Sequence, residues 1–405
     1  MKRANFKSST LAAGEGALEL DLGSAVGQVL DRRLQANLPR PVVVALSGGG
    51  DSLALLLAGA EWAARAGRGL VVLTVDHRLR PESAAWTQAC AATAERLNLP
   101  FRALAWEGEK PASGLPAAAR AARHRLLADA ARAAGARVIL MGHTADDVLE
   151  AGLMRQAGST TPEPREWSPS PVWPEGRGLF LLRPLLGARR AAIRDWLTAR
   201  SETWIDDPAN EDPAFARPRA RRALADGASP SISQVAGSAG ELALACRVEA
   251  GGGLAIDRST LRAADAWALA RFVSAACLCA AGTARPPGRD KVARLAARLT
   301  GDLAFTASLA GARIEADAEQ VRFRREPGEA ARGGLAPLRL QAGETGVWDG
   351  RFEITAEAAI EVGAASGGAL PVAVAADGSV QSIEMTSLIL DRLLAACGAM
   401  ERELA

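Results

Sequence analysis

Val42-Val43-Val44-Ala45-Leu46-Ser47-Gly48-Gly49-Gly50-Asp51-Ser52-Leu53-Ala54-Leu55-Leu56-Leu57 decides the fold. A short apolar run gives way to three glycines and then to a longer apolar run. That is the pattern of a buried strand, a tight turn and a helix. Glycines let a backbone approach an anion closely. The helix start behind them offers free N–H groups and the positive end of a dipole. The turn is therefore suited to a phosphate, yet it lacks the Gly-Lys-Ser/Thr ending of the common phosphate loop. An acid, Asp51, stands beside Ser52 instead. A carboxylate repels a phosphate but can hold the Mg²⁺ that binds one.

Working outward, apolar runs at 41–46, 70–75, 101–105 and 137–141 alternate with helical stretches near 51–66, 83–98, 116–134 and 145–157. A leading helix covers 24–38, and Gly135 stands where a helix C′ residue would. Alternation of this kind predicts an α/β fold, a parallel doubly wound sheet with helices on both faces. Residues 158–178, rich in Pro, Ser, Thr and Trp, read as a surface loop, followed by a strand at 179–182 and a helix at 188–200. The stretch 226–298 reads as helical and alanine-rich, and 303–362 as short alternating strands. A flexible connection at 363–381 and a terminal helix at 384–404 complete the expectation. Three domains result: an α/β domain at 24–222, a helical segment at 226–298 and a small β-containing C-terminal domain at 303–405.

A chain of 405 residues has ample core for that division. No stretch is long and apolar enough to span a membrane. The basic start Met1-Lys2-Arg3 is not followed by the apolar stretch of a secretory signal. A formal charge of +2 gives no global nucleic-acid signature, so any RNA site must be a local patch. The five cysteines are scattered without a C-x-x-C, which excludes a disulfide framework and a zinc or iron–sulfur pattern and fits a reducing cytoplasm. Only four residues are lysine while arginine abounds. That bias is compositional, so arginine abundance alone argues little.

Two further polar clusters follow expected strands. Val75-Asp76-His77-Arg78-Leu79-Arg80 ends the second, and Gly142-His143-Thr144-Ala145-Asp146-Asp147 the fourth. Ligands of open parallel sheets bind at the carboxyl edge of the strands, so these clusters and the glycine turn belong to one site. Thr144 and Asp147 also have the spacing of a capping box, which leaves Asp146 the freer carboxylate. Asp76 and His77 equally suit a cap, and His143 a turn. On the helix near 116–134, Arg120, Arg123 and His124 share one face. That face is either a solvated basic stripe or a set of contacts to ATP, a carboxylate or RNA phosphate.

The motif S-G-G-x-D-S resembles the pyrophosphate loop of ATP pyrophosphatases. With it, Val75-Asp76-His77-x-Leu79-Arg80-x-x-Ser83, Ala118-Ala119-Arg120-x-x-Arg123-His124 and Gly142-His143-x-x-Asp146-Asp147-x-x-Glu150-Ala151 together resemble the tRNA(Ile)-lysidine synthase family. Arg183-Pro184-Leu185-Leu186 and the span from Asp206-Asp207-Pro208-Ala209-Asn210 to Arg217-Pro218 and Arg221 extend the likeness, which covers roughly 24–224. His124 stands where the family has Tyr, Ala151 where it has Thr, and Pro218 where it has Asn.

The resemblance implies a cytoplasmic ligase that uses ATP and Mg²⁺ and joins free L-lysine to C2 of the wobble cytidine in a CAU-anticodon isoleucine tRNA. The base oxygen attacks the α-phosphate, pyrophosphate leaves, and the lysine amine then displaces AMP. Carried onto this chain, Ser47, Gly48, Gly49, Gly50, Asp51, Ser52, Asp76 and His77 bind ATP, with Asp51 holding the metal. Arg120, His143, Asp146 and Asp147 join Asp51 in catalysis, the two acids holding and deprotonating the amine. Arg217, Arg219, Arg221 and Arg222, with Arg189, Arg190 and Arg194 beside them, contact tRNA. Many such synthetases are homodimers. A tRNA thiolase of the same superfamily, a glutamine-dependent synthetase and an RNA- or nucleotide-binding module without activity remain the competing readings. Cys277-Leu278-Cys279 has the wrong spacing for the first, and no amidotransferase nucleophile pattern is visible for the second.

Overall fold

The computed structural model describes residues 21–159, 161–206, 216–230, 239–328, 335–365 and 368–403. Helix α1 (Leu22–Arg33) leads into β1 (Val42–Ala45), α2 (Gly50–Ala66), β2 (Leu70–Asp76), α3 (Ser83–Arg96), β3 (Phe101–Ala105), α4 (Leu115–Ala133), β4 (Val138–Leu140) and α5 (Ala145–Gln156). Then come β5 (Trp167–Pro169), β6 (Phe180–Leu182), α6 (Arg190–Ala199) and α7 (Ala216–Ala225). The six strands form one sheet in the order β3-β2-β1-β4-β6-β5. Every pairing in it is parallel except that of β5 with β6.

Strand alternation splits the apolar runs between the two faces. Val42 and Val44 pack with Leu55, Leu56 and Trp62 of α2 and with Ile193 and Leu197 of α6. Val43, Leu73 and Ile139 pack on the opposite face with Leu127, Ala128 and Ala131 of α4. Burial on both faces is why these strands read as unbroken apolar runs. The strand order reverses between β1 and β4, so the expected doubly wound sheet places its switch point beside the glycine turn.

The second half differs from expectation in detail. Helix α8 (Ala239–Leu244) is followed by strands β7 (Arg247–Val248) and β8 (Leu254–Asp257) inside the stretch read as helical. Helices α9 (Arg258–Ala263), α10 (Ala266–Ala281) and α11 (Arg289–Thr300) lead to β9 (Phe305–Leu309), β10 (Ala312–Ala316) and β11 (Gln320–Arg325). These strands make one sheet, β7-β8-β11-β10-β9, which crosses the expected boundary near 300. Strands β12 (Leu338–Leu340), β13 (Thr345–Trp348), β14 (Phe352–Thr355), β15 (Ile360–Ala364), β16 (Pro371–Ala375), β17 (Val380–Gln381) and β18 (Met385–Ser387) precede α12 (Ile389–Cys397). The stretch read as a flexible connection thus holds paired strands: Pro371–Ala375 lies against Ile360–Ala364 in full register. One hydrophobic cluster runs from Ala239 to Cys397 through all these elements.

Contacts at two places join the halves, among others. Trp173, in the 158–178 loop, donates Nε1 to the Gly350 carbonyl at 2.8 Å and lies under the Arg392 guanidinium. The segment after α12 returns to the first half. Glu403 is buried against Arg68 at 2.9 Å, and the Trp167 indole donates to the Met400 carbonyl.

Candidate active site at the sheet switch point

A cavity of about 880 Å³ opens where β1 and β4 end side by side. Its floor is the glycine turn. Gly48 has φ +85°, and a Cβ there would sit 2.6 Å from Ile205 Cδ1. The Ile205 N–H also donates to the Gly48 carbonyl at 3.0 Å, so residues 204–205 hold the turn from outside. A Cβ on Gly142, just beyond β4, would lie 3.0 Å from the Ser52 nitrogen. Glycine is needed at both places for close packing. Ser52 locks the turn: its Oγ accepts from the Ser47 N–H at 3.2 Å and donates to the Gly49 carbonyl at 2.8 Å. Gly50 and Asp51 open α2, where N–H groups lack intrahelical acceptors.

The predicted capping box is present. Asp147 Oδ2 accepts from the Thr144 N–H at 2.8 Å and from its hydroxyl at 3.0 Å. The cap does not withdraw Asp147 from the site: it lines the cavity and its Oδ1 lies 3.4 Å from Arg217 Nη1. Asp146 is engaged as well. Its Oδ2 accepts the Arg190 N–H at 2.7 Å, capping α6, and its Oδ1 pairs with Arg189 at 3.0 Å. Asp146 has fewer partners than Asp147 but is not free, because α6 starts directly against it; Asp147 is the acid that lines the cavity. Glu150, one helical turn beyond Asp147, is fully buried. Its Oε1 accepts from Arg221 at 2.6 Å and Arg190 at 3.0 Å, while Oε2 has no partner.

Burial raises the pKa of Asp51, against the opposing pull of Arg190 at 3.1 Å. His143 and His124 are both pushed down to about 2, first by burial and then by surrounding arginines. Both are therefore neutral at any working pH. Asp76 and His77 line the cavity beside the glycine turn. Asp76 Oδ1 accepts from the Arg78 N–H at 2.8 Å, fixing the turn after β2, and burial lowers the His77 pKa.

The basic face of α4 is not a solvated stripe. Arg123 lines the cavity, and burial with neighbouring Arg120, Arg217 and Arg183 lowers its pKa to about 10. Burial also lowers the pKa of Arg120, with Arg217 the next cause. Arg123 Nε, His124 Nε2 and His143 Nδ1 are buried without partners. Buried cations crowded together with few acids form a site for an anion.

The four arginines expected on RNA divide. Arg217 and Arg221, one turn apart on α7, enter the cavity, whereas Arg219 and Arg222 are exposed. Arg190 also enters the cavity, as does Arg194. The Asp207–Asn210 part of the sequence signature lies outside the described residues. Arg123 and Arg190 carry more of the site than the sequence reading assigned them. Arg190 is hidden in the pair Arg189-Arg190, and its one signal is a position opening a helix seven residues after Arg183.

Residues 24–227 match the model of a PP-loop domain. A tRNA(Ile)-lysidine synthase of Caulobacter vibrioides is 50% identical over 331 residues, 82% of this chain and 78% of that protein. The chain belongs to the tRNA(Ile)-lysidine synthase family. The synthase of Brucella anthropi is 35% identical over 78% of this chain and 74% of its own. That of Hyphomonas neptunium is 45% identical over 52% of this chain and 57% of its own. The family's PP-loop domain is thus the parallel sheet with its glycine turn, and the strong matches continue into the second half.

Proposed function

We propose that this protein is a tRNA(Ile)-lysidine synthetase, forming a carbon–nitrogen bond between free L-lysine and C2 of the wobble cytidine in a CAU-anticodon isoleucine tRNA. ATP is consumed, with AMP and pyrophosphate released. One observation carries the reading. The glycine turn and Asp147 line one cavity, and one helical turn behind Asp147 the buried Glu150 keeps an Oε2 without a partner. An ammonium group satisfies such an acid pair, and a nucleotide satisfies the turn.

The turn's N–H groups and the neighbouring arginines bind the phosphates and take up the charge that develops on the departing pyrophosphate. Arg123 and neutral His143 line the same cavity with unpartnered nitrogens, and they would serve an α-phosphate as hydrogen-bond donors. Lysine's amine, with an ordinary pKa of about 10.4, arrives protonated. Asp147 and Glu150 hold it and draw off the proton that its attack on C2 releases.

Among the described residues no three or more His, Cys, Asp or Glu side chains are grouped to hold a metal. That suits Mg²⁺, which commonly takes one or two carboxylates and completes its shell with substrate phosphates and water. Asp51 is the residue that would hold it, with Asp147 the nearest second acid. The ion would neutralise charge on the phosphate oxygens.

The anticodon base must leave its stack to enter, which costs little in a single-stranded loop. Exposed Arg219 and Arg222 remain the RNA-facing members of the basic helix. A thiolase needs a reactive cysteine, and no cysteine lines this cavity; Cys277 and Cys279 are buried in the other half with pKa values pushed up to about 12. No helix among the described residues is long and apolar enough to cross a membrane. A cytoplasmic location and a homodimer belong to the same proposal.

Incubation with ATP, Mg²⁺, radiolabelled lysine and a set of purified tRNAs tests the reading. Label should enter only the CAU-anticodon isoleucine tRNA. Label in no tRNA, with ATP–pyrophosphate exchange also absent, would leave a binding module.

A further inference from the structure

Arg190 occupies an unusual place. Each nitrogen of its guanidinium meets a different carboxylate: Nε lies 3.1 Å from Asp51, Nη2 3.4 Å from Asp147 and Nη1 3.0 Å from Glu150. The side chain is four-fifths buried, and its backbone is pinned by Asp146. The carboxylates come from two helices, α2 and α5, that begin at the two strands of the switch point. One cation therefore bridges the acid assigned to the nucleotide's metal and the acids assigned to lysine's amine.

We propose that Arg190 is a positioning residue that makes the lysine site conditional on nucleotide. The inference rests on the proposed activity. With no nucleotide bound, the guanidinium neutralises Asp147 and Glu150, and an incoming ammonium must compete with a tethered cation already in place. A triphosphate entering the turn supplies a competing set of anionic oxygens beside Arg190. Guanidinium binds phosphate through two parallel hydrogen bonds, and a divalent cation at Asp51 repels it from that carboxylate. Both effects draw Arg190 toward the phosphates and away from the acid pair. The pair is then left with Arg221 on Glu150 and Arg217 near Asp147, and its net negative charge, with the unpartnered Glu150 Oε2, is available to lysine's ammonium. ATP thereby raises the affinity for lysine, and by linkage lysine raises the affinity for ATP by the same factor. The arrangement disfavours occupation of the pocket by lysine or another amine before a phosphate is there to be attacked.

The test is equilibrium dialysis of labelled L-lysine against the full-length protein with tRNA present, with and without a magnesium-bound non-hydrolysable ATP analogue. Wild type should bind lysine about tenfold more tightly with the analogue, within the usual range for coupled sites. Arg190→Gln should bind lysine more tightly than wild type when nucleotide is absent, and its ratio should fall to within twofold of one. Arg190→Lys keeps a charge in the cluster and guards against a folding failure. A single ammonium cannot span three carboxylates, so its ratio should lie between the other two. A wild-type ratio near one, or an unchanged ratio in both variants, overturns the inference. Failure of every form to bind lysine, while the analogue still binds, overturns the proposed activity itself. Lysine binding without nucleotide dependence overturns only the role of Arg190.

Discussion

Buried arginines in the second half and those at the cavity live under opposite conditions. In the second half Arg258 is fully buried, and its guanidinium donates to the carbonyls of Leu299, Asp302, Asp317, Arg298 and Leu303. It closes the end of α11, whose last carbonyls need donors. Arg325 and Arg351 share the buried carboxylate of Asp349 at 3.0 and 2.7 Å. At the cavity, Arg123 leaves Nε unmatched beside Arg120, Arg183 and Arg217. The same residue type holds the second half together and leaves the cavity in want of an anion. Saturated burial marks structure, and unsaturated burial marks a place reserved for substrate.

The largest effect should come from breaking the saturated side. Arg258→Met strands five carbonyls, and we expect a loss of at least about 4 kcal/mol. Urea unfolding followed by tryptophan fluorescence measures it. A loss below 1 kcal/mol would mean that the carbonyls find other donors.

On the unsaturated side, Asp51→Asn should lower ATP–pyrophosphate exchange by at least about 100-fold, a cost near 2.7 kcal/mol. Binding of tRNA should stay within about twofold. Exchange that survives within a few-fold of wild type removes Asp51 from the metal.

The two depressed histidines sharpen the comparison through pH. His124 and His143 are neutral in the fold but take up protons when unfolded below about pH 6.5. Their contribution is fully present above that pH and is lost progressively as pH falls toward about 2. At pH 5 each costs about 2 kcal/mol. Unfolding midpoints at pH 7 and pH 5 should therefore differ less in His124→Gln and in His143→Gln than in wild type. Equal pH dependence in all three proteins would mean that the rings take up protons in the fold.

The smallest effect is also of opposite sign. Arg123→Met removes a buried cation crowded by others, and should stabilise the fold by about 1 kcal/mol. It should also raise KM for ATP by about tenfold. Loss of both stability and affinity would place Arg123 among the structural arginines.

The first half was legible because its strands are buried on both faces and stand out as valine and leucine runs. Its helices begin and end within a few residues of expectation, apart from the leading helix, which stops at Arg33. The glycine turn marks the switch point for the same reason. The second half was harder to read. Strand β8 follows Gly251-Gly252-Gly253, and β16 reads Pro-Val-Ala-Val-Ala amid alanine and glycine, so small residues hide the strand period. At the site, the turn, Asp76, His77, His143 and Asp147 were visible because each follows a strand. Arg190 was not, because only the docking of α6 on Asp146 brings it among three acids. Nor does spacing tell which of two adjacent aspartates faces the cavity, since that depends on the neighbouring helix.

The closure of Glu403 on Arg68 reaches beyond packing. These partners are 335 residues apart, and neither side chain is more than 1% exposed. As the chain emerges during synthesis, Arg68 appears 335 residues before its counter-ion. Until then the turn between α2 and β2 either buries a lone charge or remains open to water. Burying a lone charge costs several kcal/mol, so this corner of the first half is neutralised only after the segment beyond α12 is made. A distant segment thereby seals the first layer: without Glu403 the chain would keep every cavity-lining residue but lose the charge that neutralises Arg68 beneath them.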